Sequence, residues 1–279
     1  MPYFCTHLAF GDRVAKALGS SIETLGEPYV LGCFGPDLYF FDRLPPTPFI
    51  PHVKKHGNAL HNLDASVLFK ALCTAANQEL HPYLFGFLTH IALDSTLHPY
   101  VEARHTGIDH TRFEGVIDSI VCEDTKDRIS YETILKHRTD VKAIDALLAD
   151  ASEALHLREV RGAYTRSYRK FRRLVPFLYD PTGRRYRALL KTERLFHKDG
   201  LISAFLLAAP RADTEDCMNR SHAPWSAPWK PEQQRNESVP ELLDEAEALA
   251  VRWIRLLQAG ETESLFAALR NRTMQKGVL

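Results

Sequence analysis

The stretch FLTHIALDSTLHPYVE, residues 87–102, is apolar enough for a protein interior, yet His90, Asp94 and His98 recur within it at four-residue steps. On an α-helix that spacing stacks three polar side chains in one column. Burying two imidazoles and a carboxylate on an apolar rod is costly unless something pairs with them. A fold built round this segment must therefore supply a partner for the column. The next element offers one: in DHTRFEGVID, residues 109–118, His110 and Glu114 repeat the i, i+4 spacing. Neutral imidazoles and carboxylates are the ligand set of zinc and related divalent ions, so two facing columns predict a metal site. A buried polar network without metal is the competing account. Pro99, directly after His98, is expected to end the helix and leave His98 at its terminus.

The rest of the chain reads as all-α. Helical periodicity marks 12–22, 57–76, 82–98, 110–122, 141–154, 159–178, 184–196 and 240–257, and no convincing alternating strand is present. With 279 residues and 45% hydrophobic content, one domain over 1–279 is expected, a separate C-terminal helical subdomain over 239–279 being the alternative. The proline-rich segment 43–51 and the long connector 219–240 read as loops.

Lysine plus arginine and aspartate plus glutamate number 35 each, so no overall field points to nucleic acid as the default partner. The five scattered cysteines form no framework and suit a reducing setting. The opening MPYFCTHLAFGDR lacks a signal-peptide pattern, and the apolar run 201–209 is far shorter than the roughly 20 residues of a transmembrane helix. The expectation is a cytoplasmic protein without a transmembrane segment, its oligomeric state open.

THLAFG at 6–11, LGCFGPDLYFF at 31–41, ALH at 59–61, GFLTHIALDSTLHPYVE at 86–102 and HTRFEGVID at 110–118 together resemble the prokaryotic zinc-dependent phospholipase C family, relatives of the P1-type nucleases. The resemblance implies a multi-helix bundle with a zinc cluster in its helical core. One ion would take Asp37, His61, His90 and Asp94, and a second His98, His110 and Glu114. A third would share Asp94 and add His7 with the mature N-terminal residue. That third site departs from the pattern: secreted relatives expose a new N-terminus, whereas here removal of Met1 would leave Pro2, and His7 reads equally as a core or helix-start residue.

Each candidate also has a plainer reading. Asp37 in its G-P-D turn could be a cap. His56 competes with His61. Asp118, two turns beyond His110, reads as an ordinary salt bridge rather than a partner to a ligand. His52, His81, His105, His137, His156 and His197 lack a partner at helical spacing and read as surface or packing residues. NRSHAPW at 219–225 is a weaker echo of the family, in which His222 and Trp225 would border a substrate opening or, alternatively, anchor the connector. The Arg- and Lys-rich segment 158–194 reads first as a solvated face balancing the acidic stretch 232–263, and second as a contact for phosphates or an anionic membrane.

A cluster of divalent ions sharing a carboxylate suits phosphoester hydrolysis: a metal-bound hydroxide would attack phosphorus, with Asp37 as the catalytic residue orienting or deprotonating the water. The substrate would be a phosphoester, phospholipid among the candidates. The alternatives are a nuclease or small-molecule phosphodiesterase on the same fold, and a non-catalytic metal-stabilised helical binding protein. No nucleophile elbow or phosphate loop supports covalent or nucleotide chemistry.

Overall fold

The computed structural model describes residues 4–43, 54–125, 140–158, 161–197 and 202–279. The proline-rich segment lies outside them from residue 44 on, as do His52, His137 and the N-terminal residues of the third-ion expectation.

The chain opens with α1 (Phe4–Ala17) and α2 (Ile22–Phe34), followed by a 3-10 segment over Gly35–Arg43. The single helix expected over 12–22 is thus two, because Gly19 turns the chain at φ 74° and Ser21 caps α2, its side chain accepting from Thr24 N–H at 3.1 Å. Likewise 57–76 divides into α3 (Lys54–Asn62) and α4 (Ala65–Ala75), where the Asp64 carboxylate accepts from Ser66 N–H at 2.9 Å.

The central helix α5 (His81–Arg104) does not stop at Pro99. Proline removes one donor and crowds the carbonyl four residues back, here Ser95. The C-terminal end of the chain covers that spot: a short antiparallel ribbon, β1 (Arg272–Thr273) with β2 (Gly277–Val278), packs on α5, and Arg272 Nη1 donates to Ser95 Oγ at 2.9 Å. Gly277 lies so close that a Cβ there would sit 2.5 Å from Ser95 O. Tertiary packing outweighs the local preference against helix before proline.

Then come α6 (Gly107–Thr125), α7 (Lys142–Ala154), α8 (Ala163–Leu178), α9 (Arg184–Leu195), α10 (Val239–Gln258) and α11 (Thr262–Leu269). Around α5 pack α1, α2, α6 and α10, while α4 joins α7 and α11. The α2–α5 crossing is backbone against backbone: a Cβ on Gly32 would fall 2.2 Å from Tyr83 O, and one on Gly86 2.0 Å from Tyr29 O. That approach presses the G-P-D turn, which follows α2, onto the polar column of α5. Phe4, Phe34, Phe41 and Phe171 fill the space behind it, with Phe4 and Phe34 edge-on at 4.8 Å. Among the described residues no helix is long and apolar enough to cross a membrane.

Candidate metal centre

Five segments converge on the column. α1 contributes His7, the 3-10 segment Asp37, α3 His61, α5 His90, Asp94 and His98, and α6 His110 and Glu114. Ligand atoms of His7, Asp37, His90 and Asp94 all lie within 4.8 Å of one another, and so do those of His98, His110 and Glu114. His61 meets both carboxylates of the first group, with Nε2 3.0 Å from Asp37 Oδ1 and 3.6 Å from Asp94 Oδ2. His7 Nε2 is 3.3 Å from Asp94 Oδ1, so Asp94 stands between two imidazoles from different helices. The two groups adjoin through Asp94 Oδ2, 3.9 Å from His98 Nδ1.

Three histidines are aimed by backbone carbonyls. Nδ1 of His61 faces Gly57 O at 2.7 Å, that of His90 faces Cys33 O at 3.1 Å, and that of His98 faces Met274 O at 2.9 Å. A carbonyl only accepts, so each Nδ1 carries the proton and, in the neutral ring, each Nε2 offers a lone pair. Carbonyl-oriented imidazoles of this kind are how proteins set histidines for a metal. Gly35, at φ 51°, lets the turn run directly against His90, where a Cβ would meet the ring at 2.5 Å.

The electrostatics single out His90. Burial lowers its pKa to about 4 despite Asp94 and Asp37, so it is neutral near pH 7. Its Nε2 lone pair then faces Asp94 Oδ2 at 3.2 Å, and both atoms are buried without a hydrogen-bond partner, as is Asp37 Oδ2. Two acceptors in contact with nothing donated between them call for a cation. For His61 burial also works downward, but the facing carboxylates of Asp37 and Asp94 lift its pKa to about 10; for His98, Asp94 and Glu114 overcome burial and lift it to about 9. Burial alone would raise the pKa of Asp94, yet His90, His98 and His7 hold it well below the usual range. The carboxylates are thus charged and the histidines compete to neutralise them, an arrangement that suits a divalent ion. On donor chemistry and geometry the residues fit zinc.

Two further residues support these groups: Glu102, which escaped the sequence reading, and Asp118, which it weighed as a salt bridge against a partner to a ligand. Glu102 continues the column, four residues after His98, and places Oε1 3.4 Å from His110 Nδ1 while accepting from Gln275 at 2.9 Å. The same four-residue spacing would have found it, had Pro99 not been expected to end the helix. Asp118 is buried and forms hydrogen bonds in place of the expected salt bridge: it accepts from Thr6 N–H at 2.7 Å and Thr6 Oγ1 at 2.9 Å, fixing the residue before His7. Burial raises its pKa to about 6 against those bonds.

Other candidates lie elsewhere. His56 is buried beside Tyr39 and Ser152, and burial lowers its pKa to about 4. Trp225 belongs to a second core cluster with Tyr100 and Phe113, its indole N–H donating to Glu237 O at 3.2 Å, so it offers no surface to a substrate. His222 is bonded to Asn236 O at 3.1 Å and faces Glu241. The stretch is knotted by Asn219, whose amide donates to carbonyls of Ala223, Asn236 and Glu237. The buried indole favours the anchoring reading for Trp225, while His222, bonded to the loop backbone, keeps half of its side chain exposed. Within the acidic stretch, Asp244 and Glu247 pair with Arg13, and Glu245 with Arg235, rather than with the basic segment.

No curated protein and no solved structure matches the chain. One family model does, over residues 6–161, a span that contains every histidine and carboxylate of both groups. The chain belongs to the zinc-dependent phospholipase C family.

Proposed function

We propose that the chain hydrolyses phosphoesters at this centre, with phospholipid headgroup esters the foremost substrate class. The observation that carries the reading is the buried contact of His90 Nε2 with Asp94 Oδ2, two acceptors 3.2 Å apart beside an unbonded Asp37 Oδ2. Zinc would be held by Asp37, His61, His90 and Asp94, with His7 against the same carboxylates, and by His98, His110 and Glu114. Bound there, zinc supplies a Lewis acid that polarises a phosphoryl oxygen and lowers the pKa of water towards ~7.

The chain's own groups supply orientation and proton handling. His61, tied to Gly57 O, fixes one oxygen of Asp37; the other is buried, unbonded and charged, which suits it to orient a water and accept its proton. His98, His110 and Glu114 are three ligands rather than the four that close a structural zinc site, which leaves room for a substrate oxygen and favours catalysis over a scaffold role. All five cysteines are free thiols, in keeping with a reducing compartment such as the cytoplasm.

The test is zinc content together with hydrolysis of a chromogenic phosphodiester and of short-chain phosphatidylcholine, for the wild type and Asp94→Asn. The variant should lose both bound zinc and turnover, since Asp94 touches both groups. Turnover retained by Asp94→Asn overturns the reading; zinc bound without turnover on any phosphoester assigns the ions to a scaffold.

A further inference from the structure

The chain's charges cancel overall, but not locally. Residues 161–197 hold eleven lysines and arginines against two carboxylates, Asp180 and Glu193. Both carboxylates are turned inward, at 2% and 6% exposure. Asp180 accepts from Tyr186 N–H at 2.8 Å, and Glu193 accepts from Ile202 N–H at 2.5 Å and Ser203 N–H at 2.9 Å. What α8 and α9 present to solvent is therefore positive. Among the described residues Arg169, Arg173, Arg184, Arg187 and Lys191 are exposed, and none meets a carboxylate at salt-bridge distance.

On α9 the residues Arg184, Arg187, Lys191 and Leu195 recur at helical spacing and share the outward face. Tyr186 and Leu190 lie on the opposite face, over a cavity of about 450 Å³ against α6. The helix ends in bare apolar side chains, Leu195 at 75% and Phe196 at 66% exposure. Phe177, 71% exposed, ends α8 in the same way. Large aliphatic and aromatic side chains left in water beside a row of cations are the pattern of an interfacial helix, whose cations meet headgroup phosphates while its apolar tips enter the acyl boundary. A surface for single-stranded nucleic acid needs aromatic platforms along the cationic track. Of the aromatics interleaved with the arginines here, Tyr164, Tyr168 and Phe171 are buried, and the half-buried Tyr186 turns its ring to Arg211 over the cavity, so none forms a platform along the outward cations.

We propose that the outward face of α9, tipped by Leu195 and Phe196, docks the protein on an anionic lipid bilayer. The docking is a property of this surface alone and does not rest on the phosphoesterase reading, because it is measured as partition rather than turnover.

The experiment is co-sedimentation of the full chain with vesicles of phosphatidylcholine alone and of phosphatidylcholine with phosphatidylglycerol. Partition onto the anionic vesicles is expected, weakening as salt screens the charges. Arg184→Gln/Arg187→Gln/Lys191→Gln should weaken it on the order of a hundredfold. Leu195→Ser/Phe196→Ser should weaken it by roughly tenfold or more. All substituted positions are exposed, so circular dichroism and melting temperature should match the wild type. Failure of the wild type to bind either vesicle, or undiminished binding by both variants, overturns the proposal. So does salt-sensitive binding to duplex DNA, lost in the triple variant, with vesicles ignored; that result gives the surface to nucleic acid.

Discussion

Gly35→Ala should empty the first zinc group without removing a ligand. Gly35 ends α2 at φ 51° and ψ −135°, a conformation costing a non-glycine residue about 1–3 kcal/mol. The added Cβ would also lie 2.5 Å from Cδ2, 2.7 Å from Cγ and 2.9 Å from Nε2 of His90, where ordinary contacts begin near 3.4 Å. The ring must therefore retreat by close to an ångström. It has little room: His90 is fully buried, His7 stacks on it at 4.7 Å, and Nδ1 is held by Cys33 O. Breaking that bond adds about 1 kcal/mol. Together these costs reach roughly 3 kcal/mol, and a displaced imidazole of this kind lowers metal affinity about 10- to 100-fold. The assay is competitive zinc titration against a chromophoric chelator, with a thermal melt of the stripped protein. Gly260→Ala is the control for backbone strain alone, since Gly260 has φ 73° and nothing within 4 Å of its added Cβ. It should cost about 1 kcal/mol and leave zinc binding unchanged. If Gly35→Ala binds zinc as the wild type does and melts like Gly260→Ala, the claimed contact between the turn and His90 is wrong.

Three further outcomes follow from the same geometry. For the zinc-stripped protein, His61 and His98 have folded pKa values of about 10 and about 9, above the ordinary 6.5, so their stabilisation is complete below pH ~6.5 and is lost as pH rises towards 9–10; His90, lowered to about 4, opposes folding as pH falls from 6.5 to 4. Urea midpoints of stripped protein across pH 4–10 should thus peak between those limits, and a midpoint rising steadily to pH 10 contradicts the assignment. Asp118→Asn should be no less stable than the wild type at pH 8, because the amide oxygen can still accept from Thr6 while a buried charge of raised pKa is removed; Asp118→Ala, which strands both Thr6 donors, should lose about 1–3 kcal/mol by the same denaturation measurement. Glu102→Gln should weaken zinc at His98, His110 and Glu114 about tenfold, leaving the first group alone, and identical stepwise titrations would show that Glu102 does not support His110.

What the sequence made legible is what repeats at short range. The His90–Asp94–His98 and His110–Glu114 columns are visible because four-residue spacing alone puts them on a helix face, and most helices were legible from the same period. The missing parts are those that depend on distant segments. Met274 O orients His98 across 176 residues, and nothing in a ribbon of two-residue strands announces that role. His56 and His61 share a helix and an apolar context; only Ser152 on α7, bonded to one, and Asp37, facing the other, tell them apart.

Pro99 shows how one local rule can hide a residue of the polar column. The rule counts the lost hydrogen bond and the crowded Ser95 carbonyl, but not the ribbon that packs on that carbonyl from the other end of the chain. Once the helix was taken to end at His98, Glu102 left the column although the spacing still included it. His222 and Trp225 lie in an irregular stretch, where a family echo left both an opening and an anchor as readings. A Trp, an Asn and a His in a loop serve equally to knot it, and Asn219 with three carbonyl acceptors makes the knot. Polar residues on a helix face carry directional information because the helix fixes where they point. The same residues in a loop carry none until the fold supplies their partners, and the first reading to hold at such positions is therefore packing.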